Sequence, residues 1–251
     1  MSPSPFQRRS PGQRGYSLVE LMVALTIGAI VLAGTMGVFI AGMRAMYRDS
    51  KRLETNASLR YFIAQVSKET LDSTEFYVFP TYESLDGSVN LTDDVSALEA
   101  DAYGTYLAYG DCLVLATRVA ASDETSNVRQ FRIYYRVRKP NESAAAIAPL
   151  RYYESTDYGT TGTNTSLTAL VNAVNLKQSP LISGSRQIVA RARGRPVNGS
   201  ETDCYPIFST ESATASPTND SVSINVEVIN GNAATHMLSS SSFNYTISPR
   251  K

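Results

Sequence analysis

Hydrophobic and polar positions change their rhythm twice along this chain. From Leu21 to Met43, 23 residues carry no charge, and only Thr26, Thr35 and four glycines (Gly28, Gly34, Gly37, Gly42) interrupt the apolar run. At about 1.5 Å per residue a helix of that length reaches roughly 34 Å, enough to cross a hydrocarbon layer of about 30 Å. A secretory signal has an apolar region of only about 7–15 residues. The run therefore predicts a membrane-spanning helix. From Met43 to Leu71 there is no proline or glycine, and the apolar residues thin to a stripe. Met46, Leu53, Ala57, Ala64 and Leu71, with Phe62, Ile63 and Val66, approximate one helical face, and charged residues such as Arg44, Arg48, Lys51, Arg52, Arg60 and Lys68 fill the rest. The pattern predicts one helix of roughly 55 residues, with a bend near Gly42 as the alternative.

After Ser73 the period becomes two. Phe76–Phe79, Cys112–Val119, Phe131–Arg138 and Val222–Val228 read as strands, with Leu150–Glu154, Gln187–Ala192, Tyr205–Phe208 and Phe243–Ile247 as weaker candidates. In the third of these, Phe131, Ile133, Tyr135 and Val137 alternate with Arg132, Tyr134, Arg136 and Arg138. This predicts one face in the core and one in solvent. Polar stretches at 155–169, 209–221 and 239–242 read as loops. The fold class expected is α+β, a long N-terminal helix packed on an antiparallel sheet. Its segments are 1–15 (basic leader), 16–43 (membrane half of the helix), 44–73 (amphipathic half) and 74–251 (β-rich domain).

Composition removes several functions. Lys plus Arg and Asp plus Glu number 23 each, so the chain is neutral and is no general polyanion binder. With one histidine (His236) and two cysteines (Cys112, Cys204), a four-thiolate zinc site or a two-imidazole mechanism is excluded. No nucleophile elbow or phosphate-binding glycine loop occurs. The acids Asp93, Asp94, Glu99, Asp101 and Asp111 could offer oxygen ligands to calcium, but their spacing matches no defined loop and a solvated acidic segment is the simpler reading. No catalytic constellation, cofactor site or metal site is expected.

The start of the helix carries the sharpest signal. Arg8, Arg9 and Arg14 precede Gly15, and Tyr16-Ser17-Leu18-Val19-Glu20 leads into the apolar run. Ser17-x-x-Glu20 is a capping box, which accounts for both residues locally. It leaves unexplained an acid beside 23 lipid-compatible residues, since an ionisable group there usually has a partner. Leader, Gly15 and the segment through Leu25 resemble the class III signal of type IV pilins and type II secretion pseudopilins. The resemblance implies a cut by prepilin peptidase between Gly15 and Tyr16 and N-methylation of Tyr16. It further implies pairing of the Glu20 carboxylate with the amine of a neighbouring subunit. It also orients the chain in the inner membrane, with a cytoplasmic N-terminus, lipid around 16–43 and the rest outside. Removing the leader takes the charge balance from zero to −3. Gly37 stands where many major pilins have proline, which disfavours a major subunit.

The Tyr134–Arg138 strand, a turn at Lys139–Asn141 and Leu150–Glu154 look like the hairpin of W-type minor pilins and J-type minor pseudopilins. The partners so implied are other pilin-like subunits, in a role at the tip or start of a filament. Two further expectations depend on the exported location. Cys112 and Cys204 are candidates for a disulfide closing a loop of about 90 residues, against the alternative of two buried thiols. Arg129, Arg132, Tyr134, Arg136 and Arg138 are a candidate surface for nucleic acid or an acidic partner; DNA is the less favoured occupant, an ordinary wet sheet face the more favoured reading. A single-pass anchored domain outside any filament is the remaining alternative.

Overall fold

The computed structural model of the chain describes residues 16–80, 99–100, 106–120, 126–137, 143, 145–159, 162, 182, 184–198, 202–212, 221–230 and 239–247. The chain divides into two compact units, Met1–Asp49 and Ser50–Lys251. Helix α1 (Leu18–Asp72) runs unbroken for 55 residues. It passes through Gly42 without interruption, as the single-helix reading requires. Among the described residues of the first unit, every one is exposed.

Among the described residues, the second unit holds the end of α1 and ten strands, all antiparallel: β1 (Glu75–Phe79), β2 (Glu99–Ala100), β3 (Tyr106–Gly110), β4 (Cys112–Arg118), β5 (Val128–Arg136), β6 (Ala148–Glu154), β7 (Arg186–Gly194), β8 (Phe208–Ser212), β9 (Ser221–Asn230) and β10 (Ser239–Ile247). Their order is β1-β4-β5-β6-β7-β9-β8-β3-β2, with β10 along the other side of β9. The expected α+β class is the one observed. β3 and β4 are nearly continuous yet belong to distant parts of this order. Gly110 pairs with Phe208 of β8, while Cys112 pairs with Phe79 of β1 and Tyr135 of β5. Only glycine fits at 110, because a Cβ there would stand 1.9 Å from the Phe79 carbonyl oxygen.

Two apolar clusters form, one on each face of the β1–β4–β5 region. The inner cluster joins Leu59, Phe62 and Val66 of α1 to Phe76, Leu113, Leu115, Tyr134, Tyr152, Ile224, Val226 and others. The outer cluster gathers Tyr77, Phe79, Cys112, Val114, Phe131, Ile133, Tyr135 and Ile182. A side chain such as Phe62, fully buried, contributes roughly 1.5–3 kcal/mol relative to exposure.

Three expectations are corrected here. First, the buried face of α1 is Thr55, Leu59, Phe62, Val66 and Thr70. Leu53, Ala57, Ala64 and Leu71 are exposed. At about 100° per residue they centre roughly 155° from the buried face. The helix therefore has two apolar stripes, and the sheet takes one. Second, the face of β5 expected to be wet is covered toward its end: Phe131, Ile133 and Tyr135 fill the outer cluster, Tyr134 and Arg136 are buried on the opposite face, Arg132 is half-buried, and exposure is left to Arg129 at the strand's start. Third, β8 follows Tyr205–Phe208 rather than occupying it, β10 starts in the serine run expected to be a loop, and β2 and β3 were not anticipated.

Candidate functional site

The helix start has the geometry its sequence suggests. The Ser17 N–H donates to Glu20 Oε2 at 3.0 Å, and the Glu20 N–H donates to Ser17 Oγ at 3.2 Å. This reciprocal box meets two of the amide donors that every helix start leaves open. Tyr16 is 86% exposed beside it, and Gly15 lies outside the described residues. The apolar side chains that follow, Leu18 to Met43, face outward on all sides; Ile30 is 72% exposed. The described residues leave this segment without apolar cover, so its surface suits lipid or other apolar helices.

Of the five residues expected to form a basic or nucleic-acid surface, the four that are described do not share one. Arg129 is exposed and forks onto Asp157, with Nε–Oδ1 at 3.0 Å and Nη2–Oδ2 at 2.9 Å. That contact and the Gly159 N–H hold the Asp157 carboxyl down at about 2. Arg132 binds Glu154 at 3.0 Å and lies 3.9 Å from Glu69. Tyr134 and Arg136 are wholly buried, and Arg138 lies outside the described residues. Phosphate contact requires guanidinium groups that face water, and here carboxylates already hold them.

Two buried polar clusters went unrecognised in the sequence. Glu69, in the last turn of α1, accepts from the Tyr134 hydroxyl and, at 3.0 Å, from the Tyr152 hydroxyl. Burial, then the Glu69 charge, pushes both phenols far above their ordinary value, so they remain neutral donors. Phe62 packs edge-on against Tyr134 at 6.1 Å. One carboxylate thus fastens the helix end to the β5–β6 hairpin. The second cluster centres on Asp111, at the β3–β4 junction. Its N–H donates to the Pro80 carbonyl, its carbonyl accepts from the Arg136 N–H, and its Oδ1 accepts from the Ile207 N–H. Its Oδ2 lies 2.7 Å from Arg136 Nη2, both side chains fully buried. Asp111 is therefore no member of a solvated acidic loop. The available signal was the glycine before it, which marks a close backbone approach inside a strand pattern.

The Cys112–Cys204 disulfide is not formed; both thiols are free and buried. Cys112 points into the outer cluster from a strand flanked by β1 and β5. Cys204 sits in a short hairpin after β7, paired with Pro196 and packed against Gly194. Each has its own packing partners. Burial raises the Cys112 thiol well above its usual value, so it is unreactive. Among the described residues, no three His, Cys, Asp or Glu side chains are grouped so as to hold a metal ion. Asp93, Asp94, Asp101 and His236 lie outside the described residues.

Comparison with known families places a match at the chain's start. The family model described as the prokaryotic N-terminal methylation motif matches residues 10–36, which include Gly15, the Ser17–Glu20 box and much of the apolar run. The match supports a type IV pilin-like structural subunit, anchored through an apolar helix and handled by prepilin peptidase. No curated protein and no solved structure matches the chain.

Proposed function

We propose that this protein is a minor pilin or pseudopilin that helps to start assembly of a type IV pilus or a type II secretion pseudopilus. Prepilin peptidase cuts between Gly15 and Tyr16 on the cytoplasmic side of the inner membrane, and Tyr16 becomes the N-methylated first residue. Residues 16–43 hold the subunit in lipid until it joins the filament. The exported unit then lies outside the membrane.

The observation that carries this reading is the exposed Ser17–Glu20 box at the head of a helix whose apolar side chains find no cover among the described residues. A solvated capping acid has no reason to border 23 uncharged residues. A carboxylate awaiting the amine of an adjacent subunit has one, since an ion pair formed in an apolar bundle fixes axial register. The second apolar stripe, Leu53, Ala57, Ala64 and Leu71, offers the exported helix a further surface for neighbours. The β5–β6 pairing supports the minor-subunit reading through its likeness to the W- and J-type hairpin.

Intact mass and N-terminal sequencing of the protein from native membranes test the route. The expected product begins at N-methylated Tyr16. A chain that keeps residues 1–15 would overturn it. Glu20→Ala tests the registry role: the variant is expected to be processed normally yet to be missing from sheared filaments or pseudopilus fractions.

A further inference from the structure

We propose that Arg44 and Arg48 form a phosphate-binding pair that holds anionic lipid headgroups at the end of the apolar run. Arg44 follows Met43 directly, and α1 continues through both arginines. The polar layer of a bilayer adds about 5–7 Å beyond the hydrocarbon on each side. Arg44 starts at the inner edge of that layer and Arg48 stands about 6 Å further along the helix. Both therefore lie at the depth of lipid phosphates.

Side chains at i and i+4 share a helix face, with Cβ atoms about 5–6 Å apart. Two guanidinium forks at that spacing can close on one phosphodiester, each giving paired N–H donors. Both residues are exposed, and among the described residues neither has a hydrogen-bond or ion-pair partner. Lys51 is held by Glu54 at 2.7 Å, and Arg118, Arg132 and Arg136 each bind a carboxylate, whereas Arg52, Arg60 and Lys68 of α1 are exposed as Arg44 and Arg48 are but stand further along the helix from the apolar run. Tyr47, between the two arginines and 47% exposed, suits the same interfacial depth. An acidic neighbouring protein could also attract these cations, but the apolar run fixes their depth beside lipid before any such partner arrives. The inference rests on the membrane-spanning part of the reading above and not on filament membership.

The test uses the full chain reconstituted in phosphatidylcholine bilayers with a minority of phosphatidylglycerol. Spin-labelled forms of each lipid report the preference of the protein's boundary shell. Arg44→Gln/Arg48→Gln is expected to lower the phosphatidylglycerol preference by about fivefold per arginine removed. Leader arginines contribute equally to both proteins, so the difference isolates the pair. Arg44→Lys/Arg48→Lys is expected to keep part of the preference, since charge remains while the forks are lost. An unchanged preference in the Gln variant overturns the proposal. Equal loss when inorganic phosphate is added to the unsubstituted protein also overturns it, because the ligand would then be free phosphate. If the protein from native membranes keeps residues 1–15 while the reconstituted chain shows the arginine-dependent preference, the filament reading fails and this one stands.

Discussion

The two units of this chain use the same apolar residue types and give them opposite surroundings. Ile30 and Leu32 are 72% and 66% exposed, whereas Ile133 and Leu150 are fully buried. The difference is one of pattern. In the first unit apolar side chains surround the helix, so no single sheet or helix of the chain could cover them all. In the second, apolar positions recur with a strand or helix period, and each face meets a complementary one. Charge behaves in the reverse sense: the first unit keeps Glu20, Arg44 and Arg48 at its margins, while the second buries Asp111, Arg136 and, in large part, Glu69. Burial of charge is tolerated there because each group meets a partner of opposite sign or a strong donor.

The strongest way to break this comparison is to strip one partner from the buried pair. Asp111→Ala leaves Arg136 charged and enclosed, with an expected loss of about 3–5 kcal/mol. Denaturant unfolding of the full chain in detergent measures it, and membrane extraction is expected to be unchanged. Replacing both residues by leucine and methionine should recover most of the loss. On α1 itself, Phe62→Ala is expected to cost about 3–5 kcal/mol, while Leu32→Ala should leave the unfolding midpoint of the β-rich unit where it was. Equal effects from the two would remove the distinction between the units.

A smaller effect separates the tyrosine clamp. Tyr134 and Tyr152 keep their protons in the folded chain beyond the pH at which an unfolded tyrosine ionises, near 10. Their contribution is complete below about pH 10 and declines as pH rises further, because the unfolded chain then binds fewer protons. The expected slope is about two protons, and Tyr134→Phe/Tyr152→Phe should flatten it. That variant also loses about 1–3 kcal/mol near neutrality, since Glu69 forfeits both donors. Smallest is the surface pair. Arg129→Ala is expected to leave the unfolding midpoint unchanged, while the Asp157 carboxyl, followed by NMR titration, rises from about 2 toward an ordinary value near 3.9.

Much of the architecture was legible in the residues. The unbroken apolar run, the Ser17–Glu20 box, the short apolar runs of β1 and β4 and the alternation in β5 and β9 are local patterns, set by side-chain period and by bonding within one turn. So was the class of the protein's start, which depends on contiguous residues 10–36. Long-range pairing was not legible. Nothing near Glu69 indicates that its partners lie 65 and 83 residues away, and nothing near Asp111 indicates Arg136 and the Ile207 amide. The choice between two opposite apolar stripes on α1, and the covering of the expected wet face of β5 toward its end, were likewise decided by tertiary packing. An alternating strand specifies two faces but not what covers them, and an arginine specifies a charge but not its counterion. Those depend on which distant segments the fold brings together.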